Sequence, residues 1–533
     1  MFKSDLHTLK FSSHSVPTSK GEITAFLSLS LVLLVSFIMG VLEAATLQSS
    51  KNLGRLATDR ALYSVFGEYH KDLLTNYHIF GIDESYNSGT AEEKQILNRL
   101  HYYGTENIDH KVLAIQYLTD NNGQVFREQV LEYMEQKYGL KLVQKFTGDI
   151  SDWEEKEIEE KETAEKEAQV SNDIKDFLNS SGASNTSDSS EDLSVADSSE
   201  SSVSVPSLPD SENPFKFMNR IESDGVLSVI LPENYSLSHK EIDLDLQPSY
   251  RNLKNGRGSF PARTSADNVP ARLLFNEYLL KNFDSAVSSE PSDNSDENSP
   301  ATNVPTTSVQ TIPPLSAKTT TCTADPLAAS AKSLQYEVEY ILSGKSSNKA
   351  NLESVMLKLF LVRCSLNFLS LQKDAARKTE AEGLALTLCS LLLVPEAAEA
   401  VAQLLLFTWA CGESILELRS LLAGQRIALV KNSTNWNLPL TALPTLLTSK
   451  RYLMAENVAG GLAYQDCLRS LLFLKDTGTI NMRSLDRIEA NIHTLHANTL
   501  FHVDNCVTKL ELENTVQIYG NLTYTFPAYF GYN

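Results

Sequence analysis

The sequence lacks the short motifs that mark the commonest cofactor and catalytic sites. It contains no P-loop, no G-x-G-x-x-G, no H-E-x-x-H and no G-x-S-x-G, the signatures of phosphate, dinucleotide, zinc-protease and serine-hydrolase sites. Glu337 and Glu339 stand two residues apart, so on a helix they point in different directions and make a poor acid–base pair. We therefore predict no catalytic residue, no cofactor and no enzymatic activity.

Cysteine is scarce, and no two cysteines have the C-x-x-C spacing of a zinc or redox site. All six cysteines lie at or after Cys322, several of them in apolar stretches. This pattern favours buried cysteines that act as small apolar residues. One or two disulfides are the alternative if this part of the chain lies outside the cell.

Histidines and carboxylates near the C-terminus come closest to a metal-binding pattern. The residues are His493, His496 and His502, with Asp486, Glu489 and Asp504 nearby. His493 and His496 share a helix face at i, i+3 spacing, as zinc ligands can. A polar helix face explains the same pattern, and we predict no bound metal.

Positive charge is never concentrated in a run. The chain has 46 Lys and Arg against 67 Asp and Glu, a formal net charge of −21. A negatively charged surface repels nucleic-acid phosphates and anionic lipid head groups. We therefore expect no nucleic-acid partner.

One long apolar run without charge is present at residues 23–42. About 20 helical residues cross a hydrocarbon core of about 30 Å, so we predict a membrane anchor. A cleaved signal peptide is the alternative, but its apolar core is normally about 7–15 residues long. Three lysines precede the run and three basic residues follow it closely, so the positive-inside rule is nearly tied. The short leading tail favours a single-pass protein of the cell membrane with most of its chain extracytoplasmic.

Composition divides the remaining chain into folded regions and linkers. Stretches rich in Ser, Asp, Glu or Pro cannot bury enough apolar surface to fold, and we predict that they are disordered. The predicted organisation is an N-terminal tail at 1–20, a transmembrane anchor at 21–46, a membrane-proximal α+β region at 47–150, an acidic and Ser-rich linker at 151–212, a small α+β segment packing with the C-terminal domain at 213–283, a Pro- and Ser-rich linker at 284–325, and a helical C-terminal domain at 326–533.

The predicted fold class is a single N-terminal transmembrane helix, a small α+β domain, and a mainly α-helical C-terminal domain with a terminal strand pair. Apolar spacing predicts that the anchor helix continues to Tyr77. Strands are predicted at 111–118 and 225–231, and a turn at 121–123. Further helices are predicted at 91–101, 125–138, 270–283, 327–342, 350–372, 375–393, 396–421, 464–474 and 482–500, with the strand pair at 506–532.

Three stretches carry a resemblance to a known family. They are Gly21–Thr24 with Leu42–Ala44, Asp59–Ala61, Ser64–Tyr69 and Phe80–Asp83; then Tyr336, Glu337, Glu339, Tyr340, Gly344, Arg363 and Asn367; and then Asp466, Arg469, Arg483, Asp486 and Asn491. They resemble an uncharacterised family of single-anchor proteins, a domain of unknown function, in clostridial-type bacteria. That family is often associated with Tad pilus or type II secretion-like systems.

The anchor is also similar to TadE/TadG-like minor pilins. In pilins a peptidase cuts after a glycine that precedes the apolar helix, which makes Gly21 and Glu22 a processing site by resemblance. Pilins of the type IV kind carry a glutamate five residues into the mature chain, whereas Phe26 stands there in this sequence. This departure puts pilin-style cleavage and assembly in question.

The resemblance implies a structural or accessory component of a Tad-like apparatus. Its partners would be the lipid bilayer and other apparatus proteins or further copies of itself. One alternative is a membrane-tethered hydrolase whose pocket gathers Glu337, Glu339, Arg363 and Asp466. A second alternative is a scaffold or sensor that faces the cytoplasm.

Overall fold

The structure is a computed structural model that describes about two thirds of the chain. It describes residues 20–86, 88, 91–138, 216–232, 237–261, 268–287, 332–391, 395–446, 453–495, 498–518 and 522–532. The predicted linker at 151–212, most of that at 284–325, His496 and Cys322 lie outside these residues. The predicted domain boundaries remain predictions.

Helices make up most of the described chain. They are α1 Lys20–Phe66, α2 Lys71–Tyr77, α3 Glu93–Leu100, α4 120–138, α5 Lys216–Asp224, α6 Leu227–Ile230, α7 Val269–Asn282, α8 Glu337–Ser343, α9 Asn348–Lys373, α10 Ala375–Leu391, α11 Ala398–Leu422, α12 Tyr464–Leu474 and α13 Thr477–Leu495. The strands are β1 Ile82–Asp83, β2 Ile108–Tyr117, β3 Cys506–Ile518 and β4 Leu522–Gly531. They form one sheet in the order β1-β3-β2, with β4 also paired to β3. The apolar N-terminal helix, the mostly helical content and the C-terminal strand pair are therefore confirmed.

The chain divides into two compact units. The first comprises residues 1–68, 92–114 and 510–531, and the second comprises 69–91, 115–509 and 532–533. Helix α1 of the first unit is 47 residues long, about 70 Å. Its described side chains are exposed from residue 22 to residue 46.

The second half of α1 packs on the C-terminal strands of the first unit. The Phe66 ring lies 4.6 Å from that of Phe530, centroid to centroid. Gly54 faces Val516 so closely that an added Cβ would lie 2.9 Å from its Cγ2. A small residue is needed there because the helix backbone approaches the strand directly.

The prediction that α1 continues to Tyr77 is wrong, because the helix ends at Phe66 and a separate helix begins at Lys71. The ring of His70 accepts a hydrogen bond from Leu73 N and caps the new helix. The apolar spacing is helical in both segments, and spacing alone does not reveal a break that a cap creates.

Three described helices are long and apolar enough to cross a membrane by length and composition: Glu22–Phe66, Asn348–Lys373 and Ala398–Leu422. Within the most apolar 18 residues of each helix, the fraction of residues buried in the protein is 0% in the first helix, 44% in the second and 78% in the third. Helices α9 and α11 pack on each other in the core of the second unit, and Trp409 of α11 is buried there. A Cys364–Cys411 disulfide joins them, with a Cα–Cα distance of 4.8 Å.

Several predicted elements of the second unit need correction. Residues 225–231 contain the short helix α6 rather than a strand, because Val226, Leu227, Val229 and Ile230 are all buried and do not alternate. Helix α8 begins at Glu337, not at residue 327. The predicted helix at 482–500 lies at Thr477–Leu495. The predicted turn at 121–123 falls within the first turn of α4, where all three residues have positive φ angles.

Candidate functional site

We call the twelve resemblance residues at positions 336–491 the motif residues, and all of them lie in the second unit. Tyr336, Glu337, Glu339, Tyr340 and Gly344 lie on α8 or cap it; Arg363 and Asn367 lie on α9, Asp466 and Arg469 on α12, and Arg483, Asp486 and Asn491 on α13. Most of them are buried. We use the name α8 network for the polar contacts that these residues make.

Gly344 ends helix α8 in a left-handed conformation that favours glycine. Its φ of +65° is left-handed, and an added Cβ would lie 2.4 Å from Cζ of Arg483. Nη1 of Arg483 donates to the carbonyl oxygens of Ile341 and Leu342 at 3.2 and 3.1 Å. The guanidinium thus satisfies carbonyls that the helix terminus leaves without partners.

Glu337 is fully buried at the start of α8 and has a cationic and an amide partner. Its Oε2 accepts from Nζ of Lys332 at 2.9 Å, and its Oε1 accepts from Nδ2 of Asn491 at 2.6 Å. Nε of Arg487 lies 3.7 Å from Oε1. Burial alone would raise the pKa of Glu337, but Lys332 and Arg487 outweigh it and hold that pKa below its usual value.

Glu339, two residues later on α8, has no cation among its partners. Its Oε1 accepts from Ala286 N at 2.9 Å and from the Tyr464 hydroxyl at 2.7 Å. Its Oε2 has no hydrogen-bond partner among the described residues. Burial raises the pKa of Glu339 to about 7, although both hydrogen bonds act against this shift.

Asp486 on α13 is held by two hydroxyl groups and a backbone amide. The Tyr340 hydroxyl donates to its Oδ2 at 2.8 Å, and Ser249 N and Oγ donate at 2.8 and 2.5 Å. Burial raises the pKa of the Asp486 carboxyl, although these hydrogen bonds lower it in part. The contacts join the segment before residue 250 to α8 and α13.

Arg363 on α9 forms a bidentate ion pair with Glu417 on α11. Its Nε and Nη2 donate to the two carboxylate oxygens at 2.8 and 2.7 Å, and both side chains are at most 5% exposed. Arg363 also donates to the carbonyl oxygens of Ala428 and Leu429. Burial would lower the pKa of Arg363, but Glu417 raises it further, so it stays charged.

Asp466 and Arg469 form a more exposed contact on α12. Nη1 of Arg469 donates to Asp466 at 2.6 Å, and its Nε donates to Glu277 on α7. Oδ2 of Asp466 accepts from Ala463 N at 2.9 Å, which caps the helix. The four residues of the hydrolase alternative, Glu337, Glu339, Arg363 and Asp466, thus each have different partners.

The structure brings Glu489, His493 and His502 together, with candidate ligand atoms within 4.8 Å of one another. Both Glu489 oxygens, however, accept from Arg251, at 2.5 and 2.8 Å. Nε2 of His493 bonds the Phe501 carbonyl oxygen at 2.6 Å. A guanidinium on the carboxylate opposes a second cation there, so the group fits an ion-pair cluster better than a metal site.

An open cavity of about 670 Å³ lies in the first unit. Its lining includes His101, Glu106, Asp109 and Gln517 and none of the motif residues. No sequence motif pointed to these residues. Sequence reasoning also missed Lys332, Asp284 and Glu417, because a lone buried charge gives no sequence signal until its partner is known.

Taken together, the α8 network consists of interior contacts that join helices of the second unit. Burying a carboxylate or guanidinium costs free energy unless the group has a partner of opposite charge or hydrogen bonds. Most of the charged groups in the α8 network have such partners. Such contacts fix the packing of α8, α9, α12 and α13.

The model of a family of unknown function, DUF5702, matches residues 206–518. This range contains all twelve motif residues at positions 336–491. No curated protein matches the chain, and neither does any solved structure.

Proposed function

Because the chain belongs to DUF5702, a family of unknown function, we propose its role from its own residues: a membrane-anchored extracytoplasmic protein that acts through protein–protein contacts. Its α1 helix would be a single-pass anchor, and its second unit a rigid contact module. The observation that carries this proposal is the combination of an apolar helix exposed from residue 22 to residue 46 with motif residues buried in the α8 network.

The exposure of α1 supports the anchor. Ile23, Phe26 and Phe37 are at least 70% exposed, and soluble proteins rarely leave so long an apolar surface uncovered. A lipid bilayer covers such a helix, which satisfies its own backbone hydrogen bonds. The helix also continues without a break from this half into the half that packs on β4.

The Cys364–Cys411 disulfide supports the extracytoplasmic orientation. Disulfides persist in oxidising compartments and are rare where glutathione and thioredoxin keep thiols reduced. Cys389, Cys467 and Cys506 are buried and unpaired, so they are shielded from further exchange.

The resemblance of the anchor and motif residues supplies the setting that we propose, a structural or accessory component of a Tad-like pilus or secretion apparatus. Helices joined by buried ion pairs and hydrogen bonds suit a subunit that must present fixed surfaces to neighbours. Processing after Gly21 would fit a pilin-like subunit, and an uncut chain would fit a static accessory protein.

Topology and N-terminal processing test this proposal together. We would tag the C-terminus, treat intact cells with protease, and sequence the mature N-terminus of wild type and of Gly21→Val. Loss of the tag with a terminus at Glu22, absent in the variant, supports a processed, exported subunit. Loss of the tag with an intact Met1 supports a static anchored protein. A protected tag would overturn the proposal in favour of an inward-facing scaffold or sensor.

A further inference from the structure

One amine and two carboxyl groups meet in the interior of the second unit. Nζ of Lys332 lies 2.7 Å from Oδ2 of Asp284 and 2.9 Å from Oε2 of Glu337. The side chains of Lys332, Asp284 and Glu337 are 13%, 9% and 0% exposed. We call these residues the Lys332 triad.

Backbone contacts fix the two carboxyl groups of the triad against each other. The Asp284 carbonyl oxygen accepts from Glu337 N and Val338 N at 2.9 and 3.0 Å. Asp284 N in turn donates to Oε2 of Glu337 at 3.0 Å. Lys332 therefore meets a preformed pair rather than two independent side chains.

We propose that the Lys332 triad forms an intramolecular isopeptide bond between Nζ of Lys332 and Cγ of Asp284, with Glu337 as the group that transfers the protons. Neither the family assignment nor the proposed contact function implies this bond. The chemistry is the condensation of an amine with a carboxylic acid, and the triad supplies both groups and the proton carrier.

The reaction balances without an external reagent. The ammonium of Lys332 gives one proton to Glu337, and the free amine attacks Cγ of Asp284. Glu337 passes that proton to an Asp284 oxygen, the nitrogen loses a second proton to the same oxygen, and the C–O bond breaks. An ammonium and a carboxylate thus become one amide and one water, with Glu337 regenerated.

Proximity and burial both favour this step. A nitrogen hydrogen-bonded to the carboxyl group is close to the separation of about 3–3.5 Å at which reacting atoms meet. The amide replaces two buried charges with a neutral group, which removes a desolvation cost. The buried position also keeps out the water that would hydrolyse the bond.

The charges around the triad determine how fast the isopeptide bond forms. Burial would lower the pKa of Lys332, but Glu337 and Asp284 raise it further, so the ammonium predominates. The free amine therefore forms only by direct transfer to a triad carboxylate. A step that occurs once in the life of each chain tolerates a rare reactive state, and Arg487 and Asn491 hold Glu337 in place meanwhile.

The bond would close the chain over a long segment. Asp284 and Lys332 are 48 positions apart, and the predicted Pro- and Ser-rich linker lies between them. A protease cut within that segment would leave the two parts covalently joined. The second unit would then survive nicking of that predicted linker.

Mass spectrometry of the full chain, purified in detergent, tests the bond. After reduction and alkylation, we expect an intact mass lower by one water than the mass calculated for the alkylated chain with its sequenced N-terminus. Trypsin digestion in denaturant should fail to cut after Lys332 and should give one branched peptide joining the Asp284 and Lys332 segments. Normal cutting after Lys431, which is also buried and paired with Glu413, shows that the digest is complete.

Substitutions assign the roles within the triad. Lys332→Arg keeps the positive charge but should restore the full mass and let a nicked chain separate on a denaturing gel. Glu337→Gln should have the same effect, and Lys431→Arg should leave the bond intact. A full sequence mass in the wild type would overturn the proposal, whether or not the variants fold. Loss of ammonia with a bond to Asn491, or a bond that survives Glu337→Gln, would overturn the assigned partners.

Discussion

The hydroxyl group of Tyr340 donates a hydrogen bond of 2.8 Å to Oδ2 of Asp486, which lies 146 positions away in the chain. Both residues belong to the resemblance motifs. Their contact joins α8 to α13, and Ser249 donates two further hydrogen bonds to the same carboxylate. The motif residues are thus spatial neighbours although they are far apart in sequence.

Removing this hydroxyl should destabilise the second unit. We expect Tyr340→Phe to lower the free energy of unfolding by about 1.5–3 kcal/mol, the value of a hydrogen bond to a charged group. Tyr250→Phe is the control, because Tyr250 is 48% exposed and its hydroxyl meets only the Gly344 carbonyl at 3.2 Å. Urea unfolding followed by tryptophan fluorescence measures both. Equal losses in the two variants would contradict the role given to the Tyr340–Asp486 contact.

The Glu339 carboxyl should make stability fall as the pH rises. Its folded pKa of about 7 lies above the ordinary glutamate pKa of 4.5, so the folded state binds the proton more tightly than the unfolded state. Stability from this group is complete below about pH 4.5 and is lost as the pH rises to about 7, a change on the order of 3 kcal/mol.

Glu339→Gln isolates this effect from that of other carboxyl groups. The free energy of unfolding of wild type minus that of the variant should decrease between pH 4.5 and pH 7 and then level off. Glu337 and Glu489, whose pKa values are lowered, titrate in both proteins and cancel in the difference. A difference independent of pH would show that Glu339 is ionised in the folded protein without cost.

Removing one partner of the Arg363–Glu417 pair should destabilise the protein more than replacing both partners. Arg363→Ala leaves the Glu417 carboxylate buried without its guanidinium and should cost about 3–5 kcal/mol. The double replacement Arg363→Met with Glu417→Leu should recover much of that loss, because the nearby Lys431 keeps its 2.6 Å contact with Glu413 and no buried charge is left unpaired. Arg220→Ala is the control, since Arg220 pairs with a 60% exposed Asp224 at 4.0 Å and should cost less than about 1 kcal/mol.

The Cys364–Cys411 disulfide should stabilise the helical core. It closes a loop with a sequence separation of 47, for which chain entropy gives about 4 kcal/mol. Replacing both cysteines with alanine should lower the free energy of unfolding by roughly that amount. Alkylation of the denatured, unreduced wild type should leave these two cysteines unmodified. Their full alkylation would contradict an oxidising location.

The sequence predicted well those elements whose pattern is local. Helix α12 at Tyr464–Leu474 has the predicted bounds, and α9 and α11 differ by a few residues, because apolar periodicity and a Pro395 break are visible in the chain itself. The strand prediction at 225–231 failed because a short run of apolar residues is typical both of a buried strand and of a short buried helix. The break after Phe66 was missed because a histidine cap gives little signal.

The α8 network could be predicted only as a set of residues. The resemblance singled out Glu337 and Asn491, but nothing in the sequence indicates that the side-chain amide of Asn491 donates a hydrogen bond to the carboxylate of Glu337. Lys332 and Asp284 were not singled out at all. Their meeting depends on how α7 and α8 end and begin against each other, which is a tertiary property.

The extracytoplasmic location of the second unit is the central claim, and labelling of intact cells tests it most directly. Leu474 is 80% exposed, so Leu474→Cys offers an accessible thiol, with the wild type as background. We predict that a membrane-impermeant maleimide labels the Leu474→Cys variant on intact cells as fully as after lysis, and well above the wild type. Labelling only after lysis would place this unit in the cytoplasm and contradict the account.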